Sequence, residues 1–377
     1  MPGLVHEEAF FVFLRVGLWK ECIEINGQFT AIDFDRVLSL AEKQSVIGIV
    51  AYGVERITAQ EHHPDVSLTE KLKFTGKAML IEQRNVAMNN FVGELFGRLQ
   101  NNGINAVLLK GQGVAQCYER PLRRSCGDVD LLLDEDGFVK AKRLLLPIAS
   151  DAGREFEYER HQALVIGPWS VELHGSQRCG LSSKIDAVID EVQKTVFEED
   201  DVRYWQNGNV KVPLPGANSD VIMIFTHFLK HFYKGGLGLK QICDWCRLLW
   251  TYRESIDVQK VESRITRMGL VSEWKAFAAF AVKYLGMPVE AMPMYDDAHK
   301  WNRKAERIKA FVLSVGTFGQ NRDMSYYGKY PYLVRKCISM SQRVGDLVSH
   351  SLIFPLDSLR FFPRIIFNGL RSAMRGE

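Results

Sequence analysis

The chain has no apolar run of membrane-spanning length that is free of charge, so no transmembrane helix is expected. Strong charge of either sign is also missing. The 48 Lys and Arg oppose 45 Asp and Glu, for a formal net charge of +3. No basic run is interleaved with aromatic residues, so there is no strong nucleic-acid signal. Internal repeats and low-complexity segments are absent, which excludes solenoids and arrays. Cysteine is scarce, odd in number and scattered, with seven in 377 residues. That argues against a disulfide framework and for a reducing compartment. The start, MPGLVHEEAFFVFLRVGLW, carries two glutamates before its apolar patch and no basic lead. It does not read as a signal peptide, and a cytoplasmic protein is expected.

What is present is a hydrophobic content of 46%, ample for a sizeable core in one very large domain or two to three ordinary ones. Helical spacing appears at Phe10, Phe11, Leu14 and Leu18, and again at Val37, Leu38, Leu40 and Ala41. Ser67 or Thr69 is placed to cap a long helix running towards Gln100 through Leu72, Phe74, Leu80, Ile81, Phe91 and Leu95. Asn101-Asn102-Gly103 ends it. The expected class is α+β: a small mixed-sheet core at 103–212 between helical regions at 1–102 and 213–334, then a tail at 335–377. Pro213-Leu-Pro-Gly216 reads as a linker, and Asn218 or Ser219 as the cap of a helix to about Tyr233. Helices are expected at Val114–Glu119 and Asp136–Asp151, and a strand at Arg154–Arg160.

The most informative stretch is Lys110 to Leu133, KGQGVAQCYERPLRRSCGDVDLLL. In an extended segment Val129, Leu131 and Leu133 point to one face, and Asp128, Asp130 and Leu132 to the other. An isolated Asp-x-Asp is more often a solvated strand start than a metal site. Here it opens an apolar strand, where a carboxylate is costly unless its charge is compensated. A divalent cation with an anionic substrate supplies that compensation.

Two neighbours shift the balance. Upstream, Asn105 to Leu109 reads as a strand that ends in Lys110-Gly111-Gln112-Gly113, a strand–turn–helix junction that presents backbone N–H groups to an anion. Downstream, Gly167-Pro168 is a hairpin signal between two apolar runs. In the second run Ser170, Glu172 and His174 share the face opposite Val171 and Leu173. Glu172 is thus a natural third carboxylate for the same site.

This layout resembles the DNA polymerase beta-like nucleotidyltransferase superfamily. More narrowly, it is similar to a family of uncharacterised bacterial nucleotidyltransferases. The motifs that carry the resemblance are Lys110-Gly111, Tyr118, Pro121, Arg123 or Arg124, Gly127-Asp128-Val129-Asp130-Leu131-Leu132, and Glu172-Leu173-His174, then His227, His231 and Asp244. It spans roughly residues 10 to 310. Two departures stand out. Gly111-Gln112 replaces the usual Gly-Gly or Gly-Ser, and Glu119 to Cys126 lengthens the gap to Asp-x-Asp.

The resemblance implies transfer of a nucleoside monophosphate from an NTP to an acceptor hydroxyl, with release of pyrophosphate. Asp128, Asp130 and Glu172 would hold Mg²⁺ or Mn²⁺ and act catalytically. Lys110, Gly111, Gln112 and Arg124 would contact the nucleotide. The acceptor stays open among a sugar, a small molecule, a protein side chain and an RNA end. The competing expectation is a non-catalytic nucleotide-binding or scaffold protein that keeps the fold.

Three further features are open to two readings. His227 and His231, four apart among Phe225, Phe228 and Phe232, read as packed histidines or as substrate-facing ones. Cys243 and Cys246 fall inside an expected helix and read as core residues. Lys240 and Asp244, one turn apart, are spaced to pair or to face the site. In the tail, seven Lys and Arg oppose three acids and interleave with Leu352, Phe354, Phe361, Ile365 and Phe367. It reads either as a helix packing back on the body or as a weak membrane-surface or protein contact.

Overall fold

The computed structural model of the protein describes residues 2–19, 32–60, 66–155, 160–234, 236–316 and 330–374. Helices α1 (Pro2–Leu18), α2 (Phe34–Lys43), α3 (Ile47–Thr58) and α4 (Leu68–Asn101) come first. Ser67 caps α4 and forms a capping box with Glu70. Helices α1 and α3 cross backbone to backbone. A Cβ on Gly17 or Gly53 would sit 2.0 Å from Ile49 O or 1.8 Å from Phe13 O, so neither position tolerates a side chain. Along α4, Phe74 and Leu95 are buried, whereas Leu72 and Leu80 face solvent. The apolar stripe expected on this helix is therefore narrower than its sequence suggests.

The sheet follows, with β1 (Ala106–Leu109), a short helix α5 (Gly111–Ala115), β2 (Asp128–Leu133), α6 (Glu135–Leu145), β3 (Asp151–Ala152), β4 (His161–Ile166) and β5 (Trp169–His174). Its strand order is β1-β2-β5-β4-β3. Strands β2 and β5 run parallel, and the remaining pairs are antiparallel. Helix α5 begins at Gly111 rather than Val114 and lasts five residues. Helix α6 stops at Leu145, where Pro147 imposes a 3₁₀ turn instead of continuation to Asp151. In the strand expected at Arg154–Arg160, residues 156–159 lie outside the described residues.

The sheet is buried on both faces. Val129, Leu131, Leu133, Val171 and Leu173 pack with Val92, Leu95, Phe96 and Leu99 of α4 and Phe138 of α6. Val107, Leu109 and Leu132 turn the other way, into the large helical core.

The remainder comprises α7 (Ser183–Glu198), β6 (Val202–Asn207), β7 (Val210–Pro215), α8 (Ala217–Lys234), α9 (Leu239–Thr251), α10 (Val258–Met268), α11 (Val271–Leu285), α12 (His299–Val315), α13 (Tyr332–Ile353) and α14 (Pro355–Met374). The expected linker at Pro213 is a strand: β7 pairs with β6 in a two-stranded ribbon, with Pro213 opposite Tyr204. An edge strand accepts proline because an N–H facing away from the partner is not needed. Cys243 and Cys246 are core residues, both 0% exposed.

The tail packs back on the body. Ile353, Phe354, Phe361 and Ile365 join the same core as α1, α8 and α11. Arg364 reaches Asp186 at 2.8 Å, and Arg360 donates to Met268 O. Leu352, Leu356, Leu359 and Phe367 stay exposed. Among the described residues no helix is long and apolar enough to cross a membrane.

One core acid makes a stability prediction. Glu273 is fully buried. It accepts a hydrogen bond from Tyr233 OH at 3.0 Å, and its second oxygen has no partner among the described residues. Burial, and then the Asp357 charge, push its carboxyl up to about 8. The folded protein therefore keeps a proton that the unfolded chain loses from about pH 4.5 upward. Stability contributed by this group falls as pH rises from there to about 8, then levels off. Glu273→Gln is expected to abolish that slope and to raise stability at pH 8 by up to about 4 kcal/mol. Urea unfolding at pH 5 and pH 8 measures both. An unchanged pH slope in the variant would contradict the assignment.

Candidate active site

The acidic cluster follows from strand register. In the parallel pair β2–β5, Asp130 stands beside Glu172 and Asp128 beside Ser170. All share the sheet face of Leu132, which looks towards α8 and α9. One oxygen from each of Asp128, Asp130 and Glu172 lies within 4.8 Å of the others, a spacing that suits shared coordination of a hard cation. The hairpin β4–β5 sets His161 directly opposite His174.

Charge on this face is partly balanced within the protein. Lys110 Nζ is 3.1 Å and His174 Nε2 is 2.7 Å from Asp130 Oδ1. His161 Nε2 and His174 Nε2 lie 3.2 and 3.4 Å from Glu172 Oε2. The two carboxylates of β2 consequently diverge. Asp128 is raised above the usual range, first by the Asp130 charge and then by burial. Burial alone would raise Asp130, but Lys110 and the hydrogen bond from His174 outweigh it and hold the group low. The hydrogen bonds from His161 and His174 keep Glu172 well below the usual range. His174 is raised because Asp130 and Glu172 overcome its burial.

The turn after β1 is strained where it meets the site. Lys110 is a non-glycine residue at φ +49°, ψ −135°, a region that costs about 1–3 kcal/mol. This geometry holds its ammonium over Asp130. Gly111 follows at φ +37°, which only glycine adopts freely. The chain then turns Gln112 away from the cleft. Gln112 is 2% exposed, and its Nε2 donates to Asn85 Oδ1 of α4 at 3.0 Å. Asn85 in turn donates to Leu122 O and Arg124 O. Gln112 therefore braces the turn from behind and does not line the cleft. Lys110 and Gly111 do line it.

Arg124 is buried at the back of the cleft. Its Nε and Nη2 grip Asp244 at 3.0 and 2.5 Å, and Tyr118 OH donates to the same carboxylate at 2.8 Å. Asp244 is thus paired across 120 residues of sequence rather than with Lys240 on its own helix. Arg123 is held outside the cleft by Glu55 and Glu82, each at 2.6 Å.

The cavity between the sheet face and helices α8 and α9 has a volume of about 350 Å³. Carboxylates form one wall. Lys230, His227 and His231 of α8 and Lys240 of α9 contribute the facing side, and Arg178, held by Asp190 of α7 at 2.6 Å, lines the cleft as well. Lys240 makes no ion pair among the described residues, and burial, then Arg124, lower its pKa. His227 and His231 touch through Nε2 atoms 3.0 Å apart. Burial and the Lys110 charge hold both low, His231 at about 3. They are neutral at pH 7 and present hydrogen-bonding edges to the cleft. Both readings offered for them meet here: each is packed against the other and faces the cavity.

His161, Arg178 and Lys230 were not found from the sequence. His161 was within reach: a two-residue turn at Gly167-Pro168 fixes the register that sets 161 against 174. Arg178 and Lys230 carried no signal, since each reads as an ordinary surface cation.

No curated protein and no solved structure matches the chain. Residues 30–286 match the model of a family described as uncharacterised nucleotidyltransferase, and the chain belongs to that nucleotidyltransferase family.

Proposed function

We propose that the protein is a metal-dependent nucleotidyltransferase that moves a nucleoside monophosphate from an NTP to an acceptor hydroxyl and releases pyrophosphate. The carrying observation is the opposition across one cleft of three clustered carboxylates, Asp128, Asp130 and Glu172, and a wall holding Lys240 and Lys230. A cavity with one such wall alone would suit a cation or an anion. Both together suit a metal–triphosphate.

The donor set fits Mg²⁺ or Mn²⁺ at Asp128, Asp130 and Glu172: oxygen ligands, close spacing and mutual repulsion that a cation relieves. A divalent ion held there supplies neutralisation of the phosphoryl oxygens and acidifies the acceptor hydroxyl. Lys110, seated over Asp130, is near enough to follow the negative charge from carboxylate to phosphate. Lys240, desolvated and paired with no carboxylate among the described residues, marks a position for an anionic group of the substrate. Glu172 stays ionised, which makes it a weak proton acceptor and a steady ligand. The strand-borne acids are rigid, so the in-line geometry of attack is set by the sheet.

Differential stabilisation tests the reading. One of ATP, CTP, GTP and UTP is expected to raise the thermal midpoint by a few degrees only when Mg²⁺ is present. At one hundred times Kd the linkage is about 2.7 kcal/mol. Binding that persists without turnover across all acceptor classes would favour the non-catalytic nucleotide-binding reading. No stabilisation by any nucleotide would count against both.

A further inference from the structure

We propose that His161, Glu172 and His174 form a second cation site, specific for a borderline transition ion of the Zn²⁺ or Co²⁺ type. It shares Glu172 with the carboxylate cluster and rests on the proposed function only through that shared ligand.

The spacing is already that of a coordination polyhedron. A metal with bonds of about 2.0–2.1 Å in tetrahedral geometry sets its ligand atoms about 3.3–3.4 Å apart. His161 Nε2 and His174 Nε2 lie 3.2 and 3.4 Å from Glu172 Oε2, and the three ligand atoms fall within 4.8 Å of one another. The ion would take the place of the hydrogen bond between His174 Nε2 and Asp130 Oδ1, now 2.7 Å.

The scaffold is rigid. His161 and His174 are cross-strand partners in the β4–β5 hairpin, and Glu172 projects from the same face two residues before His174. The imidazole rings are 4.8 Å apart, centroid to centroid. Sites built on strands hold ligand geometry better than sites on loops.

The chemistry selects the ion. Mg²⁺ takes oxygen ligands and resists imidazole, whereas two imidazoles and one carboxylate suit Zn²⁺ or Co²⁺. Three protein ligands leave one position open, the pattern of a site that also receives water or a substrate oxygen. The side chains of His161, Glu172 and His174 are 19, 29 and 13% exposed, and all three line the cleft, so an ion can enter. Two cations flanking Glu172 would differ in kind: a hard ion on the Asp128 side and a borderline ion on the His161 side.

The test uses the full-length protein, stripped with a chelator and titrated with Co²⁺. The visible ligand-field spectrum separates a four- or five-coordinate nitrogen-ligated ion from a six-coordinate oxygen-ligated one. One equivalent with intense bands is expected in the wild type and equally in Asp128→Asn, which keeps the histidine set. His161→Ala is expected to lose the bands and to bind Co²⁺ at least tenfold more weakly. His161→Gln serves in its place should the alanine variant fail to fold by thermal melting. Absence of the bands in the wild type, or unchanged Co²⁺ binding on loss of His161, would overturn the proposal. The spectrum is read without nucleotide, so failure of the nucleotidyltransferase reading leaves this outcome separately visible.

Discussion

Asp128→Asn is expected to reduce nucleotidyl transfer by about a thousandfold or more, while the metal-free variant melts at a higher temperature than the wild type. On the proposed function, the activity loss follows from removing one of three proposed metal ligands at a site where bound charge would supply most of the transition-state stabilisation. The stability gain follows from electrostatics in the empty cluster. The Asp130 charge, then burial, raise the Asp128 carboxyl above its unfolded value. A carboxylate raised on folding opposes folding at every pH above its unfolded value, because the unfolded chain ionises more readily. Asparagine removes that penalty and keeps the shape. The opposite signs make the experiment decisive. A purely structural Asp128 would lose activity and stability together. A surface acid with no role would change neither. Adding Mg²⁺ should stabilise the wild type and have little effect on the variant. Melting curves with and without Mg²⁺, run beside a pyrophosphate-release assay, read all of these. A metal-free midpoint below the wild type would contradict the repulsion, and retained turnover would remove Asp128 from the site.

The parts of this site that were legible in the sequence are those governed by local periodicity. Period-two alternation puts Asp128 and Asp130 on one face of β2 and Glu172 on the matching face of β5. The Gly167-Pro168 turn announces the hairpin. Family membership covers residues 30–286, and the helical flanks around a mixed five-stranded sheet follow the expected α+β class. What the sequence left hidden depends on single dihedrals or on distance along the chain. Gln112 faces Asn85 because Lys110 and Gly111 both adopt positive φ, and nothing in Lys-Gly-Gln-Gly specifies that for the lysine. Arg124 meets Asp244 across 120 residues, whereas local helical spacing pointed Asp244 towards Lys240. Pro213 and Pro215 looked like a linker because proline is rare in sheets, yet an edge ribbon accepts it. In the tail, alternating basic and apolar residues allowed two readings. That Phe354 and Phe361 pack back on the body depends on partners in α8, α11 and α12 far upstream.

The second large effect is one of stability. Asp244→Ala is expected to destabilise the fold by about 3–5 kcal/mol, the cost of leaving a buried charge without its partner. Arg124 is 4% exposed and Asp244 likewise 4%. In the wild type Asp244 outweighs burial and holds the guanidinium well above its ordinary value. Without Asp244 that support is gone, but a guanidinium stays protonated in proteins, so the variant strands a buried charge. Among the described residues its remaining side-chain hydrogen bonds are to Ser125 O and Cys126 Sγ, neither of which carries a compensating charge. Tyr118 OH also loses its acceptor. Replacing both members, as in Arg124→Met with Asp244→Leu, removes the stranded charge, and the double variant should be more stable than Asp244→Ala alone. The pair ties the loop between α5 and β2 to α9, the helix that carries Lys240. The double variant should therefore fold but bind nucleotide less well than the wild type, through a looser placement of that lysine. Chemical denaturation of the three variants gives the coupling, and nucleotide titration of the double variant gives the consequence for the cleft. A stability of Asp244→Ala within about 1 kcal/mol of wild type would mean that the pair is not formed in solution. A double variant that is stable and binds nucleotide normally would confine the pair to a packing role and detach it from the site.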